Sequence, residues 1–365
     1  TLQSAMYVNM VDWNQYRCQP VTIEIADNNP SFTAGLNPRT MIINQHIYRC
    51  DNRKFSTTNT GQIEELSLHS IDETILKDAQ TVWDKSWKCA PPGQIVKEAL
   101  QKIGASTKYV ATDTGPARPY VAEMIHPLQA IQQQSNVALA NGDDPSFLHY
   151  MTIHEQDGEN RHHFRSLYDL MHPSGTPYDI YAADTAITGK VGFADSYDNS
   201  FAPLALRTAI THTFPCDYDV LSDVLNGISC GGKFINDART FNMGSADFSS
   251  ALGKTSEVAN IFKSLTNFGT SQCETHVEKY LLKRQARMGL LERDKIALRV
   301  TIPWSPWLHV GGQIKFNWVN RYDTVQPQFG AGKYLIVHLT HNIQYGGYGT
   351  TTLDCIANTF GNEAG

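Results

Sequence analysis

Four residues near the middle of the chain have side chains suited to metal chemistry: His154, Glu155, His162 and His163. Two imidazoles and a carboxylate can hold a divalent cation and activate its bound water, the chemistry of a metal-dependent hydrolase. That chemistry needs two histidines one helical turn apart on one face. His154 and His162 are spaced wrongly for this, and the polar stretch 157–160 breaks any helix. The two sides could meet only across a hairpin. The spacing favours an exposed polar hairpin tip, so no metal ligand is assigned.

Other candidates fail on similar grounds. Asp195, Asp198 and Asn199, or Asp217, Asp219 and Asp223, lack the glycine and closing glutamate of a calcium loop and read as solvated loops. Gly346, Gly347 and Gly349 precede a strand rather than a helix, so they form a turn and not a phosphate cradle. Cys216 or Cys230 beside a histidine reads as buried packing rather than a nucleophile pair. Glu64 and Glu65, adjacent in a strand, point to opposite faces and cannot cooperate. No catalytic, cofactor-binding or metal residue is assigned, no cofactor is expected, and the chain is read as a non-enzyme.

The elements that would carry these residues change period along the chain. Residues 1–78 read as short strands: Val21, Ile23 and Ile25 alternate with Thr22, Glu24 and Ala26, and 41–50 and 63–71 are β-prone. Pro91 and Pro92 open a helix with Ile95, Val96, Ala99, Leu100 and Ile103 on one face, stopped by Gly104. His126 and Pro127 open a second, with Leu128, Ile131, Ser135 and Leu139 on one stripe, ended by Asn141 and Gly142. Residues 147–153 and 161–170 read as a hairpin, 171–200 as loop, and 209–214 and 232–241 as weak strands. Residues 244–273, rich in Ser, Gly, Asn and Thr, read as a flexible or partner-ordered excursion.

The last hundred residues carry the strongest pattern. Residues 274–291 are helical, with Val277, Leu281, Arg284 and Met288 in line, and Lys279, Lys283, Arg284 and Arg287 adding positive charge. Such a helix rests on an acidic partner surface or is simply solvated. The period then drops to two. Ile296, Leu298, Val300 and Ile302 face one way, as do Ile314, Phe316 and Trp318. In the final hairpin Leu335, Val337, Leu339 and Ile343 share a face, and Leu353, Cys355 and Ala357 return on it. Four alternating strands after a helix make a half-buried antiparallel barrel or sheet. Trp304 and Trp307 are interface anchors or loop packing.

Bulk properties narrow the class. The chain has 365 residues, 41% of them apolar, enough for two or three domains with real cores. A formal net charge of -6 argues against a dedicated nucleic-acid binder. No apolar run is long enough to span a membrane. The seven cysteines, Cys18, Cys50, Cys89, Cys216, Cys230, Cys273 and Cys355, are scattered, which predicts reduced, mostly buried thiols from a cytoplasm. The chain starts at Thr1 without Met or a signal-like run, and a short missing leader is expected.

The order of the final block resembles the C-terminal part of the central baseplate hub proteins of contractile-tailed bacteriophages, the late-control D type, and the head of type VI secretion spike proteins. The matching residues are 274–291, 295–302, 309–319 and 334–358, with His341 where that family often has a histidine before the hairpin turn. Upstream, Ile47, Tyr48, Arg49 and Cys50, the strand 65–68, and His69, Ser70 and Ile71 resemble the closing strands of the hub's first barrel. The resemblance implies an α+β, mainly β fold. It places a first tail-tube-like antiparallel β-barrel at 1–78 and an inserted α+β domain at 79–200. A second barrel then falls at 201–243 and 274–360.

The same resemblance implies a homotrimer presenting six barrels in a ring, adapting a sixfold tail tube to a threefold central spike in the virion baseplate. Implied partners are the tail tube protein or a tube-initiator ring, the central spike protein and neighbouring baseplate wedge proteins. DNA would be only passing cargo, with no membrane binding by this chain and assembly in the bacterial host cytoplasm. The end at Gly365, without a β-helix, favours a hub whose spike is a separate polypeptide. The alternatives are a spike head or hub of a type VI secretion system or tailocin and, from another class, a metal-dependent hydrolase using His154, Glu155 and His162.

Overall fold

The computed structural model describes residues 2–4, 18–26, 40–58, 61–111, 114–115, 117–140, 144–155, 157–173, 175–182, 206–215, 284, 288, 291, 296–318, 330–344 and 349–357. The calcium-like loops, Cys216, Cys230, the 232–241 strand, the 244–273 excursion, Asn141, Gly142 and most of the final glycine turn lie outside these residues. So does most of the 274–291 helix. Among the described residues no helix is long and apolar enough to cross a membrane. The fold is mainly β with a few short helices.

The first sheet contains β1 (Leu2–Ser4), β2 (Pro20–Ala26), β3 (Thr40–Thr58) and β4 (Gly61–Ile71), in the order β1-β4-β3-β2 and antiparallel throughout. A barrel was expected here; the described residues show a four-stranded sheet with β1 and β2 at its edges. The alternation read in β2 is present, yet the face it defines is thinly covered. Ile23 is 41% exposed, while Val21 and Ile25 are half-buried.

The middle unit begins with α1 (Glu73–Gln80), β5 (Trp83–Ala90) and α2 (Pro92–Lys102). Pro92 sits where a missing N–H costs nothing, and Ile95, Val96, Ala99 and Leu100 are buried. The helix stops as its sequence requires. Gly104 takes φ +72°, its N–H bonds the Gln101 carbonyl, and Ala105 N–H reaches back to Leu100 at 2.9 Å. Next come β6 (Tyr109–Val110), β7 (Arg118–Ile125), α3 (Pro127–Val137), β8 (Phe147–Ile153), β9 (Asn160–Ser166) and α4 (Leu167–Met171). Strands β5 and β7 form a two-stranded ribbon, and β6-β9-β8 a three-stranded sheet. One core joins them, from Trp83 and Trp87 through the α2 and α3 faces to the stacked rings of Phe147 and Phe164. The strand expected over 161–170 ends at Ser166, because the Ser166 hydroxyl accepts the Asp169 N–H and caps a helical turn.

The third unit is a six-stranded sheet of β10 (Tyr178–Tyr181), β11 (Thr211–Thr213), β12 (Leu298–Pro303), β13 (Gln313–Asn317), β14 (Gly332–Asn342) and β15 (Thr350–Ile356), ordered β10-β13-β14-β15-β12-β11. Two expectations are corrected. Residues 171–200 are not all loop, since β10 pairs with β13, and it does so in parallel, making the sheet mixed. A parallel neighbour requires a crossover, and β10 enters from the middle unit rather than from a hairpin. The sheet then folds back on itself. Tyr181 on β10 bridges Thr208, Ala209 N–H donates to the Tyr181 carbonyl, and Ile210 N–H donates to Thr301 on β12. One stretch, 208–213, thereby touches both edges. Inside lie Leu298, Val300, Ile302, Ile314, Phe316, Leu353 and Cys355, each with 0% exposure.

The hairpin faces are also corrected. The register slips between Ile336 and His338, a β-bulge at Val337. A bulge adds one residue and so reverses which side chains point inward. Tyr334 and Ile336 face the barrel-like core, Leu335 and Val337 pack outward against Leu167, Leu170 and Met171, and Leu339 regains the inner face. Ile343 is 38% exposed. The described cysteines differ as well: Cys18 and Cys50 are exposed thiols, Cys355 is a buried one, and Cys89 is disulfide-bonded. Scattered spacing says nothing about which distant strands meet.

Candidate functional site

The polar chemistry of the described residues concentrates between α1, β8 and β9. Asp72, the N-cap of α1, accepts the Thr74 N–H at 2.8 Å and the Thr74 hydroxyl, and its other carboxylate oxygen accepts the Asn160 amide. Thr74 Oγ1 lies 3.2 Å from His162 Nε2, and His162 Nδ1 lies 3.1 Å from His149 Nε2. Asp72 and Thr74 are buried and His162 is 0% exposed. The two imidazoles stack at 5.3 Å with planes 12° apart.

The tautomers follow from the inventory of donors. Thr74 has one hydroxyl proton, and Asp72 as a carboxylate can only accept it. Thr74 Oγ1 must therefore accept from His162 Nε2–H. His162 Nδ1 is then a lone pair, so His149 donates through Nε2–H, and His149 Nδ1 is a lone pair in turn. The row runs His149, His162, Thr74, Asp72, with every proton pointing towards the carboxylate. Burial pushes the His149 pKa down to about 4, reinforced by the neighbouring His162 and His163. Burial also lowers His162, and the Asp72 charge opposes that shift.

His163 lies on the opposite face of β9, as alternation demands. It is sandwiched between Tyr109 at 4.9 Å and Tyr150 at 4.8 Å and bonds Thr152 Oγ1 at 2.8 Å. Burial and nearby cationic groups hold its pKa at about 4. His154 stays at the hairpin tip, 2.9 Å from Asp157. The tip docks on the first sheet: Ile42 N–H donates to the Glu155 carbonyl and Asn44 Nδ2 to the Asp157 carbonyl, both at 3.0 Å. Gly158 makes this approach with φ +67°, where any Cβ would sit 2.6 Å from Asn44 Nδ2. The structure thus does not gather His154, Glu155 and His162. His162 is paired inward with His149 and Thr74, and among the described residues no group of three or more His, Cys, Asp or Glu is placed to hold a metal ion.

Sequence reasoning missed Asp72, Thr74 and His149. Asp72 ahead of Glu73 and Thr74 was a visible helix-start signal, but nothing in it points to a histidine 88 residues away. Arg284 was also misread. Its guanidinium donates to the carbonyls of Pro145 and Phe147, each at 3.1 Å, and to Asn136 Oδ1, all within this chain rather than on an acidic partner. Burial lowers its pKa to about 10. Trp304 is buried packing, Trp307 is 37% exposed, and His341 Nδ1 bonds Thr351 Oγ1 at 2.9 Å across the hairpin.

The outward face of the six-stranded sheet is the other organised surface. Arg299 and Asp354 form a two-pronged ion pair, with Nη2 to Oδ2 at 2.9 Å, and Thr301 meets Thr352 at 3.1 Å. His338 and Thr340 continue these rows on β14. These rows are hydroxyl-rich around the Arg299–Asp354 pair, and Lys315 and Lys333 stand opposite each other elsewhere on the same outward side.

No protein-family model and no curated protein matches the chain. Among solved structures, the 43 kDa tail protein of prophage MuSo2 from Shewanella oneidensis is similar at 9% identity and a TM-score of 0.39, covering 94% of this chain and 91% of that one. A tail protein from Neisseria meningitidis MC58 is similar at 11% identity and a TM-score of 0.42, covering 93% and 87%. Coverage is long in both, and the superposition is loose.

Proposed function

We propose that the chain is a structural subunit of a contractile injection machine: a trimeric baseplate hub that joins a sixfold tail tube to a threefold central spike. The observation that carries this reading is the order of units. An antiparallel sheet comes first, an α+β unit of paired helices and a hairpin second, and a self-closing sheet with a bulged final hairpin third. That is the order read from the sequence resemblance. Two further features support it. Among the described residues the first sheet leaves Ile23 exposed on its apolar face and ends at the edge strands β1 and β2, which favours assembly over a solitary life. The hydroxyl-rich rows of β12 and β15, where Arg299 is neutralised by Asp354, suit a wall past which DNA moves, because phosphate binding requires unneutralised positive charge.

In this reading the first and third units are the two tube-like barrels. The chain performs no catalysis, and its partners are two further copies, the tube or its initiator ring, the spike and the wedge proteins around them. Native mass measurement of the purified protein tests it. Three copies of the 40.7 kDa chain in one particle is the expected result. A chain that remains a monomer, alone and when mixed with tube and spike proteins, overturns it.

A further inference from the structure

The ribbon of β5 and β7 presents an apolar knob to solvent. Met124 is 70% exposed, flanked by Val121 at 60% and Val82 at 50%. The register shows how Met124 comes to point outwards. Trp83 pairs with Ile125 and Lys85 with Ala122, so three steps along β7 face two along β5, and the extra residue is a bulge. Trp83 and Ala122 are buried in the core. Glu123 and Met124, lying between the inward positions Ala122 and Ile125, are both exposed. Met124 holds φ +50°, a backbone conformation rare for a long side chain and free of strain for glycine. Strained backbone of this kind is concentrated at functional contacts. Two acids share the outer face, Asp84 and Glu123. Both are exposed, and neither makes a hydrogen bond or ion pair among the described residues.

An apolar hole stands on the other side of the same unit. It is a cavity of about 190 Å³, lined by Leu148 and Tyr150 of β8, Leu167 and Leu170 of α4, and Leu335 and Val337 of β14. Leu148 and Val337 are half-buried and His338 on the rim is exposed, so the cavity opens to the surface. Phe147 and Phe164, on the opposite face of β8 and β9, share one core with Trp83, Trp87 and Ala122. The outer face of the ribbon and the cavity therefore flank that core from opposite sides, and they cannot meet within one chain. Arg165 pairs directly with Leu148 and so stands on the cavity's face of the sheet. It is exposed and, like the two acids, makes no hydrogen bond or ion pair among the described residues. An apolar knob between two carboxylates matches an apolar hole beside a guanidinium in both shape and charge. A cavity of about 150 Å³ already holds a benzene ring, and the unbranched Met side chain adapts to irregular spaces.

We infer that Met124 of one copy seats in this cavity of the next copy, with Glu123 set against Arg165, so that identical head-to-tail contacts link the copies. The inference rests on the trimer reading and names a subunit contact within it, on surfaces separate from the first sheet. A contact between two different patches of the same chain closes into a ring when the rotation between copies closes.

Sedimentation of the full chain over a range of concentrations tests it, with the unaltered protein as reference. Met124→Gly removes the knob at a backbone position that glycine adopts freely. The urea midpoint of the chain should not fall, while each contact should weaken about tenfold or more. Glu123→Arg and Arg165→Glu, both at exposed positions, should each loosen association by setting like charges against each other. The two changes combined in one chain should restore it. Because the two residues lie on opposite sides of the core, restoration reports a contact between copies rather than one within the chain. A Met124→Gly chain that associates as tightly as the unaltered one, or a double reversal no tighter than the single ones, overturns the inference and leaves the trimer reading standing. An unaltered chain that stays monomeric removes both.

Discussion

The two outer sheets carry the same two-residue alternation and end in different states. In β12, β13 and β15 the inward positions are sealed, with Val300, Phe316 and Leu353 at 0% exposure. In β2 the corresponding residue Ile23 is 41% exposed. Alternation decides which face is apolar; closure decides whether that face is dry. The third unit closes because 208–213 touches both β10 and β12, while the first sheet ends at β1 and β2 among the described residues. In the proposed trimer, the first sheet is the part of the chain whose burial a neighbouring copy would complete.

Substitutions at matched positions should break this comparison if it is wrong. Leu353→Asp puts a charge into the sealed face, and a loss of more than about 4 kcal/mol is expected, read as failure to give a cooperative urea transition. Arg284→Ala comes next. It strips donors from the Pro145 and Phe147 carbonyls, and a loss of about 1.5–3 kcal/mol is expected from the shift in urea midpoint.

Acidification tests the middle and third units together. His149, His163 and His341 have folded pKa values of about 4 against 6.5 for the ordinary imidazole, all lowered chiefly by burial. The unfolded chain therefore takes up protons first. The contribution of these three rings should be fully present above about pH 6.5 and be lost as pH drops towards 4. A flat melting temperature across this window would show that these rings are solvated.

The smallest effects belong to exposed groups. Arg299→Ala removes a surface ion pair and should cost no more than about 1 kcal/mol, less in high salt. Ile23→Ser should change the stability of an isolated chain by less than about 0.5 kcal/mol. In the trimer reading the same substitution lowers the trimer fraction seen by sedimentation, which separates a surface residue from an interface one.

Local chemistry was legible in the sequence and long-range closure was not. Pro92 and Gly104 marked both ends of α2, and the alternating residues from Ile296 to Phe316 marked the sealed face. The Val337 bulge was invisible, because an inserted residue leaves no trace in composition, and so Leu335 and Leu339 were set on one face. Strand β10 was hidden because four residues in a Pro-, Gly- and Asp-rich stretch give too short a period to read. The candidate site was half-visible. His162 stood out as a histidine, but its partners, Asp72 and Thr74 at the start of α1 and His149 on β8, are brought to it only by the fold.

The central claim is that this chain forms a ring of six tube-like units from three copies. Negative-stain imaging of the purified protein, averaged down the particle axis, tests it most directly. A closed ring with six lobes and true threefold symmetry is the predicted result. Single-copy particles that persist after tube and spike proteins are added would contradict it.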